Sequence, residues 1–316
     1  MDSPATPQTL SVVPAPSATN KVFFNSGGLR AGWRFAMFIV LLVAFESVIR
    51  QVLKHIPFFY RILKSGQGGV LSPEYEYVFE IATIAGLFLA AAVMAKIEKR
   101  RFGVYGLPWS GAFGKLFWQG AIAGLAFEAI EILVIYAFHG YSFGGFALTG
   151  MNLMNYAIAW ALAFVLVGIF EEFAFRGYTQ FTLGEGIGFW PSAVVLSALF
   201  GAAHLGNPRE DWVGALSVVL FGLFACLTLR RTGSLWFAVG FHAAADYAET
   251  FIFSVPDSGM LARGHLLNAS FHGPRWLTGG AVGPEASVVD FILCGLALVL
   301  FSRLYPARKA TASSVA

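Results

Sequence analysis

Glu171, Glu172 and Arg176 stand in the stretch GIFEEFAFRGYTQ, which is embedded in an otherwise apolar run. An ionisable group at the centre of a membrane helix costs about 2.5–3.5 kcal/mol, while each Leu, Ile, Phe or Val returns only about 0.3–0.6 kcal/mol. Three charges would offset most of what such a span gains. They must therefore face protein or a wet cavity, and a functional site is the default reading there. Neighbours on a helix point about 100° apart, so Glu171 and Glu172 cannot both face one partner. Arg176 follows Glu172 by four residues, the favourable order for an ion pair on one face. That pairing leaves Glu171 without a local counter-charge, as a candidate general base. The bland alternative is a plain interhelical salt bridge.

Two further groups weigh against the bland alternative. LFGAAHLGNP places His204 near the end of the next apolar run, just before a Gly-Asn-Pro break. GSLWFAVGFHAAADYAE places His242 in a later run, with Asp246 four residues on and so on the same helix face. Asp246 can accept from one ring nitrogen of His242 and fix its tautomer. A lone membrane histidine is more often an interhelical hydrogen-bonder than a catalyst. Two histidines, two glutamates and an aspartate in three apolar runs are harder to dismiss.

The ordered pattern E-E-x-x-x-R, F-x-x-x-H and H-x-x-x-D resembles the CPBP (ABI) family of intramembrane endopeptidases, relatives of the type II CAAX prenyl protease. It is carried by Glu171, Glu172 and Arg176, by Phe200 and His204, and by His242 and Asp246, with a resemblance over about residues 80–304. Any one motif is weak; three in order on three apolar runs are specific. The resemblance implies hydrolysis of a peptide bond in a membrane-associated protein or peptide, at a cavity open to the cytosol. By matched position, Glu171 activates water with help from His204. Glu172 and Arg176 are the supporting ion pair, Phe200 packs the motif, and His242 with residue 246 stabilises the oxyanion, usually a large term in acyl transfer. Where the family carries Asn at 246 that side chain can donate; an ionised Asp246 cannot, so it must be protonated or orient His242. Glu171, His204, His242 and Asp246 are also N and O ligands of a type zinc accepts. With no HExxH in the chain, the metal-free reading is preferred and no cofactor is expected, zinc being the alternative.

The surrounding sequence gives these residues a membrane setting. Of 316 residues, 57% are hydrophobic and only 12% charged, and the mean hydropathy is +0.67. Soluble domains carry about 25% charged residues, and half that could not cover a soluble surface. The fold class expected is all-α and polytopic. About eight spans of roughly 20 residues form a bundle around an intramembrane cavity, at 33–52, 77–97, 115–138, 157–181, 190–206, 213–230, 234–254 and 287–304. Residues 1–29, rich in Pro, Ser, Thr and Ala, read as a disordered cytoplasmic tail. Residues 30–306 form the transmembrane protease-like domain with its motif core at about 154–254, and 307–316 are a short C-terminal tail. The KIEKRR run, Lys96 to Arg101, marks the cytoplasmic side. That places both termini inside, in a plasma (inner) membrane. Arg50, Lys54, Arg61 and Lys64 then fall outside, so part of that stretch reads as interfacial. The connection 255–286 reads as an extramembrane loop.

Other partners find less support. A net charge of +3, with no clustering of basic residues and aromatics in a polar segment, gives nucleic-acid binding no footing. Cys226 and Cys294 read as small core residues, with neither a disulfide nor a thiolate zinc site suggested. GYSFG fits G-x-S-x-G, but Ser142 lies in a glycine-rich loop instead of a strand-turn-helix elbow. Glu128 and Glu131 raise a proton- or cation-coupled transporter as the alternative, and a non-catalytic scaffold or immunity factor is a third class. Their bland reading is cavity lining or pairing with a neighbouring helix. Glu46, Glu80 and Asp290 read as lying near span ends, within reach of water.

Overall fold

The computed structural model describes residues 22–25, 28–66 and 69–307. Most of the expected N-terminal tail (1–21) and C-terminal tail (308–316) lies outside the described residues. The helices are α1 (Ala31–His55), α2 (Pro57–Ser65), α3 (Pro73–Ile97), α4 (Lys115–Ala137), α5 (Gly150–Arg176), α6 (Tyr178–Ile187), α7 (Phe189–His204), α8 (Trp212–Thr232), α9 (Trp236–Asp246), α10 (Arg275–Thr278) and α11 (Val288–Leu304). The chain is an all-α membrane protein. Among the described residues, five helical segments are long and apolar enough to cross a bilayer: α1, α3, α4, α5 with α6, and α8. The remaining three expected spans are shorter helices. α7 has 16 residues, α11 has 17, and α9 runs directly into six residues of π-helix, Tyr247–Ile252.

Local chemistry sets several of these boundaries. Ser72 caps α3 by accepting from the Tyr75 N–H, with Pro73 in the first turn. Asp211 caps α8 by accepting from Val213 N and Gly214 N, and Gly233 ends it at φ 74°. Ser287 caps α11 by accepting from Asp290 N. The fourth expected span, 157–181, starts earlier, at Gly150, and breaks at Gly177, whose backbone (φ −82°, ψ −125°) leaves the helical region. Apolar side chains such as Ile122, Leu162, Val194 and Leu300 stay exposed, as lipid-facing residues must when no other protein covers them.

The element that carries His242 is fixed by close backbone approach. A Cβ at Gly120 or Gly124 of α4 would come within 2.0 or 2.1 Å of the Phe237 or Phe241 carbonyl oxygen on α9. A Cβ at Gly240 of α9 would meet the Phe117 carbonyl oxygen at 2.1 Å. Small residues at such a seam let two membrane helices pack backbone to backbone. Gly168 of α5 faces the Val239 carbonyl of α9 in the same way, at 3.0 Å.

The two ends of the bundle are tied differently. At one end Arg34 pairs with Glu98 (3.1 Å) and Glu185 (2.5 Å), Arg100 pairs with Glu185 (2.5 Å), and the Tyr178 hydroxyl donates to Glu98 (2.5 Å). This network links α1, the segment after α3, and α6. At the other end the connection 255–286 lies across the helix termini. Leu261–Ala262 pairs in parallel with Val70–Leu71, and Ser270–Phe271 pairs antiparallel with Tyr141–Ser142. Arg209 donates to the Gly259 and Gly69 carbonyls, both at 2.6 Å.

Gly124→Leu is expected to destabilise the protein by about 1–3 kcal/mol through forced separation of α4 and α9. Gly295→Leu, at a helical glycine with nothing within 4 Å, is expected to be neutral. Thermal unfolding of both variants in detergent checks this, and equal midpoints would refute the seam.

Candidate functional site

Glu172 is fully buried where α5 meets α9. Its Oε1 lies 3.5 Å from Arg176 Nη1 and accepts a 2.9 Å hydrogen bond from His242 Nδ1. One carboxylate oxygen thus serves both the guanidinium and the imidazole. Arg176 is also fully buried, and its guanidinium lies over the Phe200 ring at 4.2 Å. Gly222 of α8 makes room for it, since a Cβ there would meet Arg176 Nη2 at 2.4 Å. The expected ion pair is present, and Phe200 packs between the guanidinium and both imidazoles, with ring centroids 4.7 Å from His204 and 6.4 Å from His242.

With Nδ1 committed to Glu172, the other ring nitrogen of His242 is the one available to the cavity. Nε2 lies 3.4 Å from Glu171 Oε2 and 3.5 Å from Asp246 Oδ2. This corrects two local inferences. Glu172, not Asp246, holds Nδ1 and so sets the tautomer, because the long-range contact from α5 reaches the nitrogen that faces away from Asp246. Glu171 does have a neighbour of opposite character, His242, supplied by another helix. His204 is half-buried and its Nδ1 is bonded to the Phe200 carbonyl at 2.9 Å, leaving Nε2 without a protein partner among the described residues. Among the described residues it forms no ion pair with Glu171 within 4.0 Å. The two share the walls of one cavity.

That cavity has a volume of about 300 Å³ and is lined by Glu171, His204, His242 and Asp246 together. Nine of its lining residues are Asp or Glu and none is Lys or Arg. Several escaped the sequence reading. Glu80 and Asp290, expected near water, are 4% and 5% exposed and form its walls. Glu76, one turn before Glu80 on α3, lines it too, as do Glu249, Asp257 and Glu285. The signal was present in Glu76 and Glu80, an i,i+4 acidic pair on one face, and in Glu249, three residues after Asp246. Asp257 and Glu285 come from the connecting loop, and burial pushes both carboxyls above their ordinary range. Glu128 is cavity lining, while Glu131 accepts from the Ser287 hydroxyl at 2.8 Å.

Other expectations resolve simply. Cys226 and Cys294 are buried and free. Ser142 pairs into a two-residue strand, with His272 Nε2 3.0 Å from its hydroxyl. Glu46 lies 3.8 Å from Arg50. The proposed zinc ligands fit poorly. Among the described residues, the acid, His and Cys donors that converge within 4.8 Å of one another are those of Glu249, Asp257 and Glu285. Glu171, His204, His242 and Asp246 do not converge in that way.

The cavity also orients the site in the bundle. Its far end reaches Leu71, Asn207, Asp257 and Met260, beside the start of α3. Lys96 to Arg101 follow the opposite end of α3.

Residues 153–248 match the family model described as type II CAAX prenyl endopeptidase Rce1-like. The matched stretch runs from α5 into the π-helix after α9 and holds all seven motif residues, though it is narrower than the resemblance over about 80–304. No curated protein matches the chain.

Removing one partner of a buried ion pair strands the other charge and costs about 3–5 kcal/mol, whereas removing both is often close to neutral. Arg176→Met is therefore expected to lower unfolding stability by that amount, and Glu172→Gln with Arg176→Met to recover most of it. Denaturant unfolding in micelles measures both, and a double variant no more stable than Arg176→Met would overturn the assignment.

Proposed function

From the Rce1-like match at residues 153–248, we propose that the protein is an intramembrane endopeptidase that hydrolyses a peptide bond of a membrane-associated protein or peptide. The observation that carries this reading is the split between the two adjacent glutamates. Glu172 is fully buried and holds Arg176 and His242, while Glu171 retains 21% of its side-chain exposure in the cavity. Glu171 takes a proton from water as that water attacks the scissile carbonyl carbon, and His204, across the cavity, helps to position the water. His242, in its doubly protonated form with Nδ1–H donating to Glu172, donates from Nε2 to the developing oxyanion, where a preorganised donor acts most strongly. Asp246, beside Nε2, orients the ring. Glu171 then returns its proton to the leaving amine as the tetrahedral intermediate collapses. The mechanism is metal-free, supported by the failure of the four zinc-type donors to converge.

The eight helical segments each cross the bilayer, the shorter ones being α7, α9 with its π-helical extension, and α11. Lys96 to Arg101 is cytoplasmic in a plasma (inner) membrane, and both termini lie inside. The abundance of cavity carboxylates favours one second reading, a cation-coupled transporter. Gradient-dependent uptake that survives Glu171→Gln would select it.

Termini of membrane proteins, compared by mass spectrometry between cells expressing wild type and Glu171→Gln at equal levels, test the enzyme. Cleaved termini are expected with wild type alone. They are also expected to vanish with His204→Ala and to fall by about 100-fold or more with His242→Ala. Identical termini in all samples would exclude a protease. Hydrolysis by purified protein is expected to resist phenanthroline, which takes zinc but spares calcium.

Topology is tested separately with a membrane-impermeant maleimide on intact cells, since Cys226 and Cys294 are buried. Asn268→Cys is expected to label and Lys99→Cys to stay unlabelled until lysis. The reverse pattern would invert the orientation.

A further inference from the structure

Further along the same cavity, three carboxylates from three separate segments meet. Glu249 comes from the π-helix, Asp257 from the turn that follows it, and Glu285 from the short helix Pro284–Ala286 before α11. One oxygen of each lies within 4.8 Å of the others. Among the described residues, none of the three is an ion-pair partner of His242, whose partners are Glu171, Glu172 and Asp246.

Two of the three are held in place by donors. The Thr250 hydroxyl donates to Asp257 Oδ2 at 2.9 Å. The Ser258 N–H and hydroxyl donate to Glu285 Oε2, both at 2.9 Å, and the hydroxyl also reaches Oε1 at 3.0 Å. Glu249 has no such donor. It is 3% exposed, and its Oε1 is buried without any hydrogen-bond partner among the described residues. The two loops close tightly over it, since a Cβ at Gly283 would meet the Pro256 carbonyl oxygen at 2.2 Å and Glu249 Oε1 at 3.1 Å.

A buried carboxylate oxygen without a donor is costly, and an oxygen of each of two more carboxylates lies within 4.8 Å of one of Glu249's own. Among the described residues, no Lys or Arg lines the cavity to compensate. A bound cation would supply the partner that Glu249 lacks and offset the charge of all three at once. The donor set is oxygen only, which suits hard cations and offers nothing that selects zinc or copper. Calcium accepts irregular geometry from flexible segments and takes carboxylate oxygens as ligands. Magnesium demands a smaller, near-octahedral shell.

We propose that Glu249, Asp257 and Glu285 form a calcium-binding site that clamps the end of the α9 segment to the loops capping the cavity. The site is separate from the hydrolytic residues, and it holds whether or not Glu171 acts as a base.

The test uses the full chain, purified, stripped with EGTA and placed in nanodiscs at mildly alkaline pH. Equilibrium binding of radioactive calcium is expected to give about one ion per chain below about 1 mM, the range of extracellular calcium modules, with a rise in unfolding temperature. Glu249→Gln is expected to weaken binding at least tenfold, and Glu171→Gln to leave it unchanged. Should Glu249→Gln fail to give monodisperse protein, Asp257→Asn carries the same expectation. Wild type that binds no calcium at 1 mM, which would leave three proton-sharing acids, overturns the proposal. So does calcium binding that is unaltered in the variant that folds.

Discussion

The bond from His242 to Glu172 is the constraint on which the site depends. Glu172 can stay ionised without solvent only because Arg176 lies beside it, and Arg176 can be buried only because Glu172 and the face of Phe200 receive it. Once that pair exists, the same carboxylate oxygen takes Nδ1 of His242. The remaining nitrogen is then turned toward Glu171 and Asp246. A substitution in α5 therefore acts on the chemistry of α9 through one oxygen atom.

The scaffold explains why such a chain of contacts can be held in a membrane. Outside, the bundle is apolar and gains nothing from exclusion of water between helices, so close approach has to come from small residues. Gly120, Gly124 and Gly240 bring α4 and α9 backbone to backbone, and Gly168 brings α5 to α9. Inside, the carboxylates avoid lipid by facing one another across the cavity. The connection 255–286 then roofs the end of the cavity that lies opposite Lys96–Arg101. Carboxylates are concentrated in a cavity that no Lys or Arg lines among the described residues.

Much of the site was legible because charge inside an apolar run is conspicuous. Glu171, Glu172, Arg176, His204, His242 and Asp246 each break a hydrophobic stretch, and their order carried the family resemblance. The Glu172–Arg176 pair followed from helical spacing alone. What spacing could not supply was any contact between helices. Asp246 was assigned to a ring nitrogen of His242 from its i,i+4 position, but Glu172, seventy residues away in sequence, takes the nitrogen that sets the tautomer. Glu80 and Asp290 looked like span-end residues since hydropathy locates helix ends but not the faces they present. Asp257 and Glu285 were hidden in a loop whose packing is wholly non-local. The glycine seam between α4 and α9 was visible as Gly120 and Gly124 four residues apart, a spacing that composition-based span finding ignores.

The central claim is that two adjacent glutamates do unrelated work, Glu172 holding the structure and Glu171 performing the reaction. Turnover and unfolding midpoint, measured together on purified Glu171→Gln and Glu172→Gln, test it most directly. Glu171→Gln should be inactive with a wild-type midpoint, whereas Glu172→Gln should lose both activity and stability. Hydrolysis that persists in Glu171→Gln, or a loss of stability equal to that of Glu172→Gln, would contradict the account.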